Sequence, residues 1–370
     1  MSQPPLSSSR KLGLAAALLL IGVAAPALAL SAVAAPQAEF TPLEALPEGC
    51  VIACDQQGHR IIALDPERDW AEPESVLWTW QAAMAPELTQ QQRDWFRNPT
   101  DAKRLPGGRT MLVTASGGAV AVLALDDPQP VFLAYGDHNP HSAELLPDGR
   151  IVAASSTPNL LLVFDPREGV GWPERGWRKP FEDAHGVVWD AERERLWAIG
   201  LNELAAFRYH PEADPFKGGL DGGEIDGPGL LERVETFELP APGGHDLCFD
   251  AAGRLLLLTT NTTVEVFDPA TREFAPFAPR HQVRAVKSVS ERRPGGPWLL
   301  MAATERWWSD TVIVLSQEHS PVGDGEAEAA REPVNAVWQI EPDEVTERAW
   351  QRPDAMFYKL RWWWCGVGAP

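Results

Sequence analysis

The sequence predicts an all-β fold: a six-bladed β-propeller whose last blade is closed by pairing of N- and C-terminal strands. Three observations carry this expectation. A β-rich unit recurs with starts near 101, 141, 185, 245 and 285. Each unit reads as a short strand, a polar turn, a second strand and then a third. The two ends of the chain hold complementary parts of one more unit.

Residues 1–34 stand apart. Arg10 and Lys11 precede "LGLAAALLLIGVAAPALAL", and the small residues near Ala29 and Ala34 fit a cleavage site. That is the layout of a secretory signal peptide. Segment 35–49 reads as a linker, and 50–370 as a single propeller domain. Removing 1–34 takes two positive charges away and shifts the net charge from −20 to −22. A field of that sign repels nucleic acid and anionic membranes. No other stretch is long and apolar enough to span a bilayer. The expected protein is secreted or periplasmic, with no nucleic-acid partner and no stable membrane insertion after cleavage.

"CVIACDQQGHRIIALDP" from Cys50 matches a second and third strand without a first. "FYKLRWWW" from Phe357 supplies a first strand without a successor. Together they make the closing blade. Between them lie "DAKRLPGGRTMLVTAS" at 101, "HSAELLPDGRIVAAS" at 141, "HGVVWDAERERLWAIG" at 185, "HDLCFDAAGRLLLLTT" at 245 and a looser "AVKSVSERRPGGPWLLMAAT" at 285. The third strands read "AVAVLALD", "LLLVFDP", "LAAFRYHP", "VEVFDPATREF" and "TVIVLS". Acid- and Gly-rich inserts after 210 and 317 are expected between third and fourth strands. Cys50 and Cys365 flank the break in the closing blade, so a Cys50–Cys365 disulfide would replace the missing hairpin turn there, and export permits it. Cys54 and Cys248 fall in non-neighbouring blades and are expected to be unpaired and buried.

His141, His185 and His245 occupy the first position of three consecutive innermost strands. Lys103, Lys287 and Lys359 lie two residues further along in the other three. Strand side chains repeat every second residue, so one arc of the channel is expected to show imidazoles and the opposite arc ammonium groups. Three neutral imidazoles on rigid strands suit a divalent metal such as Mn, Zn or Ca, with Asp183 and Asp246 orienting them. Direct ligand contact and structural hydrogen bonding remain alternatives for the same histidines. A channel lysine with lowered pKa suits a catalytic base, and a salt-bridged channel wall is its plain alternative. Loops on the same face offer Asp55, Gln56, Ser156, Asn261, Glu305, Arg306, Trp307 and Trp308 to a substrate. Adjacent tryptophans in a turn are costly to expose, and they suit a sugar ring. Trp95 and Phe96 are placed to overhang the same mouth.

"ACDQQGHRIIALD", "DAKRL", "NPHSAELLPDG", "HGVVWD", "GGHDL", "VKSV", "RWWSDTV" and "FYKLRWW" together resemble a family of secreted bacterial six-bladed propellers of unknown function, over about 50 to 365. The resemblance implies fold and export and no activity. A looser similarity, in layout alone, is to oligogalacturonate lyases, propellers that hold a divalent metal on channel histidines; fold-level likeness of this kind is analogy. The resulting expectation is a metal-dependent lyase of uronate type acting on a carbohydrate. The alternatives are a non-catalytic propeller binding a sugar or peptide, and a lactonase-like hydrolase. In each case the partner is a small molecule or an oligosaccharide.

Overall fold

Runs of branched and small apolar residues, broken by tight polar turns, set the architecture. The computed structural model describes residues 39–168, 177–213, 229–277, 286–291, 298–302, 336–340, 348–352 and 355–363; of 298–302, 336–340 and 348–351 it describes the backbone only. The chain divides into two units, Met1–Gln37 and Ala38–Pro370. The expected signal segment 1–34 lies outside the described residues, as do Glu305, Arg306, Trp307, Trp308 and Cys365.

The first strands are β1 (Val51–Asp55), β2 (Arg60–Leu64) and β3 (Val76–Gln81), followed by a short helix α1 (Gln90–Trp95). A second sheet holds β4 (Pro99–Arg104), β5 (Thr110–Ala115), β6 (Ala119–Ala124) and β7 (Pro130–Tyr135). A third holds β8 (Pro140–Leu145), β9 (Ile151–Ser155), β10 (Leu160–Phe164) and β11 (Trp177–Pro180). A fourth holds β12 (Gly186–Asp190), β13 (Arg195–Ile199), β14 (Glu203–Tyr209) and β15 (Leu231–Glu238). A fifth holds β16 (Asp246–Phe249), β17 (Leu256–Thr259), β18 (Val264–Asp268) and β19 (Glu273–Pro276). The last strands are β20 (Val286–Glu291), β21 (Trp298–Ala302), β22 (Ala336–Ile340), β23 (Arg348–Gln351) and β24 (Phe357–Trp362).

β24 pairs antiparallel with β1, Val51 opposite Trp362 and Asp55 opposite Phe357, and so heads the sheet β24-β1-β2-β3. Each innermost strand lies against the next: β24 on β4, β4 on β8, β8 on β12, β12 on β16, β16 on β20 and β20 on β24. Sheets set radially around their first strands in this way make an all-β propeller.

The expected six-bladed plan needs a correction at the blade predicted to start near 285. Five blades follow the repeat, and all their strands are described, backbone and side chains. The remaining sheet, β20-β21-β22-β23, departs from it. Its third strand is Ala336–Ile340, which pairs with β21, rather than "TVIVLS" at 311–316, which lies outside the described residues. The acidic insert after 317 therefore precedes the third strand of this sheet instead of following it. The long acid- and Gly-rich stretch carries no alternating apolar pattern to fix a register, so the sequence offered a nearer apolar run in its place.

The core sits between blades. Ile52, Ile61, Trp78 and Trp80 of the first sheet pack with Met111, Val113, Ala121 and Leu123 of the second. Val152, Leu161 and Val163 pack with Leu196, Ala205 and Phe207 across the next-but-one boundary. Small alanines at the strand centres let neighbouring sheets approach. Tight turns end the inner hairpins. Gly149 and Gly253 take φ +89° and +69° in two of them, a backbone region that favours glycine.

At the closing blade, Gly49 N–H donates to Trp363 O (2.8 Å) and Trp363 N–H donates to Cys50 O (2.8 Å). Cys50 thus faces a residue two positions before Cys365, which itself lies outside the described residues, so the bridge stays an expectation. Cys54 and Cys248 are free thiols. Thiol titration of unfolded, unreduced protein is expected to find two thiols, and four would exclude the bridge. Replacing Cys50 by Ser is expected to cost about 2–4 kcal/mol by loss of loop closure.

Candidate functional site at the channel mouth

The N-terminal ends of the innermost strands deliver one continuous row of side chains. His141 is the second residue of β8, and His185 and His245 directly precede β12 and β16. The rings of His141 and His185 stack with centroids 4.2 Å apart and planes inclined 22°. The rings of His185 and His245 meet edge to face at 4.8 Å. Tyr358 of β24 closes one end, its hydroxyl 2.9 Å from His141 Nδ1. Lys287 of β20 closes the other, its Nζ 3.0 Å from His245 Nε2.

Each imidazole has one nitrogen tied. His185 Nδ1–H donates to Asp183 O at 2.8 Å, which leaves Nε2 as a bare acceptor. The Asp183 carboxylate lies 3.3 Å from the same Nδ1. His245 Nε2 lies 3.0 Å from Asn261 Oδ1 as well as from Lys287. The other nitrogen of His245, Nδ1, is buried with no partner among the described residues. All three rings are held neutral. Burial drives the His141 and His245 pKa well below the usual value, helped by the neighbouring imidazoles and by Lys287 and Lys359. Burial, with Lys359 and Lys287, lowers His185 to about 3.

A second layer lies beneath. Arg361 donates to Asp246 (2.6 Å to Oδ2) and to Asp101 (3.1 Å to Oδ1), and all three side chains are buried. Ser142 Oγ–H donates to Asp101 Oδ2 at 2.9 Å. Val289 N–H donates to Asp246 Oδ2 at 3.0 Å. Lys359 Nζ lies 3.3 Å from Asp246 Oδ1 and donates to His185 O at 3.2 Å. Burial alone would raise both carboxyls, but Arg361 and Lys359 overcome it and hold them below the usual carboxylate range. Burial lowers the Lys359 pKa, against the pull of Asp246 and Asp101. Cys54 and Cys248 stay protonated, because burial raises the first and pushes the second up to about 12.

The expected residues thus divide. His141, His185, His245, Asn261 and Lys287 come together at the mouth, with Asp183 behind His185. Lys359 belongs to the layer below. Lys103 reaches elsewhere, donating to Glu144 Oε2 (3.0 Å) and Val187 O (2.6 Å). The two arcs are not opposed, since Lys287 touches His245 directly. Asp246 orients no imidazole and binds Arg361 and Lys359 instead. Asp55 is fully buried; it holds the β1–β2 turn through Gly58 N–H and Arg60, and accepts from Met356 N–H at 3.0 Å. Gln56 donates to Pro99 O, and Ser156 accepts from Asn139 Nδ2, so both tie loops together. Sequence reasoning missed Tyr358, Asp101 and Arg361. The signal for these was an arginine inside an inner strand, which demands buried carboxylates nearby.

Among the described residues no group of three His, Cys, Asp or Glu stands in ligating geometry. Among the described residues no helix is long and apolar enough to cross a membrane.

No curated protein matches the chain. Many solved chains match, and two of them show the distance of the likeness. One is Kuenenia stuttgartiensis hydrazine synthase, with 13% identity, TM-score 0.44, 68% of this chain covered and 64% of that one. The present chain thus spans just under two thirds of its length. The other is the β-propeller domain of Myceliophteria thermophila Cps50 (Swd1), with 12% identity, TM-score 0.47 and coverage of 82% and 86%. A family model matches residues 9–320, most of the chain, and by that match the protein belongs to the family of unknown function DUF6528.

Proposed function

We propose that the channel mouth binds a small hydroxycarboxylate of the sugar-acid type without turning it over. One observation carries this reading: three adjacent neutral imidazoles keep one ring nitrogen each without a partner among the described residues, and an ammonium group stands at the end of the row. A ligand carboxylate suits Lys287. A ligand hydroxyl suits the bare Nε2 of His185, which accepts. The strongly negative chain favours a short, singly charged ligand over an acidic polymer.

Binding fits better than proton abstraction. A general base works best with a pKa near the working pH, and His185 lies far below it. Lys359 is already committed to Asp246 and a carbonyl. The lyase and lactonase readings both rest on a channel metal, for which the described residues offer no ligating group.

Calorimetry with D-galacturonate, beside its methyl ester, tests the proposal. The acid is expected to bind more tightly than the ester, and Lys287→Met is expected to weaken the acid by about 1–3 kcal/mol, as for one charge-assisted contact. Equal affinity of acid and ester, or indifference to Lys287→Met, would overturn it. The same titration with Mn or Zn in place of the acid is expected to give no heat that depends on His141.

A further inference from the structure

A second concavity, whose lining shares no residue with the channel row, lies at the loops of the second sheet. It is a cleft of about 430 Å³. Gln91, Asp94, Trp95 and Arg97 line it from α1 and its exit, and Tyr135 and His138 from the end of β7 and the loop beyond.

Its walls are built closely. α1 is fixed by a reciprocal cap between Thr89 and Gln92 and by Arg93, which donates to Ala85 O. The exit of α1 is clamped to the β5–β6 turn: Ser116 N–H donates to Asn98 O (2.8 Å) and Gly117 N–H to Arg97 O (2.9 Å). A side chain at Gly118, φ +118°, would stand 2.2 Å from the Tyr135 ring, so glycine is required for that ring to lie where it does.

The far wall carries backbone strain. Asp137, His138 and Asn139 take φ +53°, +68° and +54°, three consecutive non-glycine residues in the left-handed region. Such residues persist only where their surroundings over-determine them, and they cluster at binding sites. Here Arg178 pairs with Asp137 at 3.0 Å. Asn139 is held by its N–H to Ser116 O and its side chain to Ser156. The result is an exposed His138 turned back onto Tyr135, with Nδ1 2.7 Å from the phenol oxygen. Trp95 also packs on Tyr135, ring centroids 5.1 Å apart.

We infer that this cleft is a subsite for a neutral pyranose. Two half-buried aromatic rings provide the surface on which the C–H face of a sugar packs. The amide of Gln91, the carboxylate of Asp94 and the guanidinium of Arg97 stand around them as planar hydrogen-bonding groups for ring hydroxyls. The charges of Asp94 and Arg97 balance, which favours a neutral ring over an acid. The site is separate from the channel row and does not depend on the reading given for it.

Saturation-transfer NMR with the methyl glycosides of glucose, galactose, mannose and xylose tests the assignment on the full chain. At least one glycoside is expected to receive saturation at its ring C–H protons. Trp95→Ala is expected to reduce that signal at least fivefold, while Lys287→Met in the channel leaves it unchanged. Arg97→Gln and Gln91→Ala alter exposed side chains, and each is expected to weaken the signal; they carry the test if Trp95→Ala does not fold. The assignment is overturned if none of the four sugars receives saturation. It is also overturned if the signal survives in folded Trp95→Ala, or in both exposed variants where Trp95→Ala does not fold.

Discussion

Arg361→Met is expected to destabilise the protein by about 3–5 kcal/mol, the cost of leaving buried charge without its partner. The arginine is the shared partner of Asp101 and Asp246, which come from the second and fifth sheets, while it belongs to β24 in the closing sheet. Removing it strands two carboxylates in a channel where Lys359 alone cannot answer both. Urea denaturation at pH 7.5 measures the loss. Adding Asp101→Asn and Asp246→Asn to Arg361→Met is expected to recover much of it, because the three act as one unit. Lys103→Met serves as contrast. Its pair with Glu144 is partly open to solvent, and the expected loss is smaller, about 1 kcal/mol. A single-mutant loss at Arg361 no larger than that at Lys103 would contradict the network.

Mild acid is expected to unfold the protein well before its carboxylates titrate. In the unfolded chain each histidine takes up a proton near pH 6.5. In the folded chain His141, His185 and His245 refuse it, His185 down to about pH 3. The unfolded state therefore binds more protons below pH 6.5, and stability falls as pH falls. His185 alone gives about 3 kcal/mol of loss at pH 4.5, and the three together approach a slope of about 4 kcal/mol per pH unit while all stay neutral. The depressed carboxyls of Asp101 and Asp246 add to the loss only below their ordinary range, near pH 4. Denaturation midpoints at pH 7.5, 6.0 and 5.0 check this, with His185→Asn expected to flatten the profile. A stability constant from pH 7.5 to 5.0 would refute the buried neutral row.

The repeat was legible because five blades use the same grammar: a strand, a Gly- or acid-bearing turn, then a branched apolar strand. The partnership of "FYKLRWWW" with "CVIACD" was legible for the same reason, as each end lacked what the other had. The last sheet was less so, since an insert without periodicity hides where its third strand starts. The site was read in part. Three histidines at one repeat position do meet. The three lysines do not form a set, because register shifts on β4, β20 and β24 place them differently. Lys287 falls within the shift, as His141 does on β8, Lys103 lies beyond it, and Lys359 lies in the irregular stretch between Phe357 and Leu360. Lys103, Lys287 and Lys359 therefore reach three different environments. Tyr358 and Arg361 were invisible to a repeat search, since no other blade has an equivalent.

The closing strand also sets an order of events during synthesis. β24 follows every other described strand, yet it brings Tyr358, Lys359 and Arg361, each of which contacts blades made much earlier. Until it arrives, Asp101 and Asp246 have no guanidinium between them and the row of histidines has no tyrosine at its end. The early blades are thus left with like charges facing a common space, which resists premature collapse of the incomplete ring. Arrival of these six residues converts that repulsion into attraction, so the ring is expected to lock only once β24 has been made.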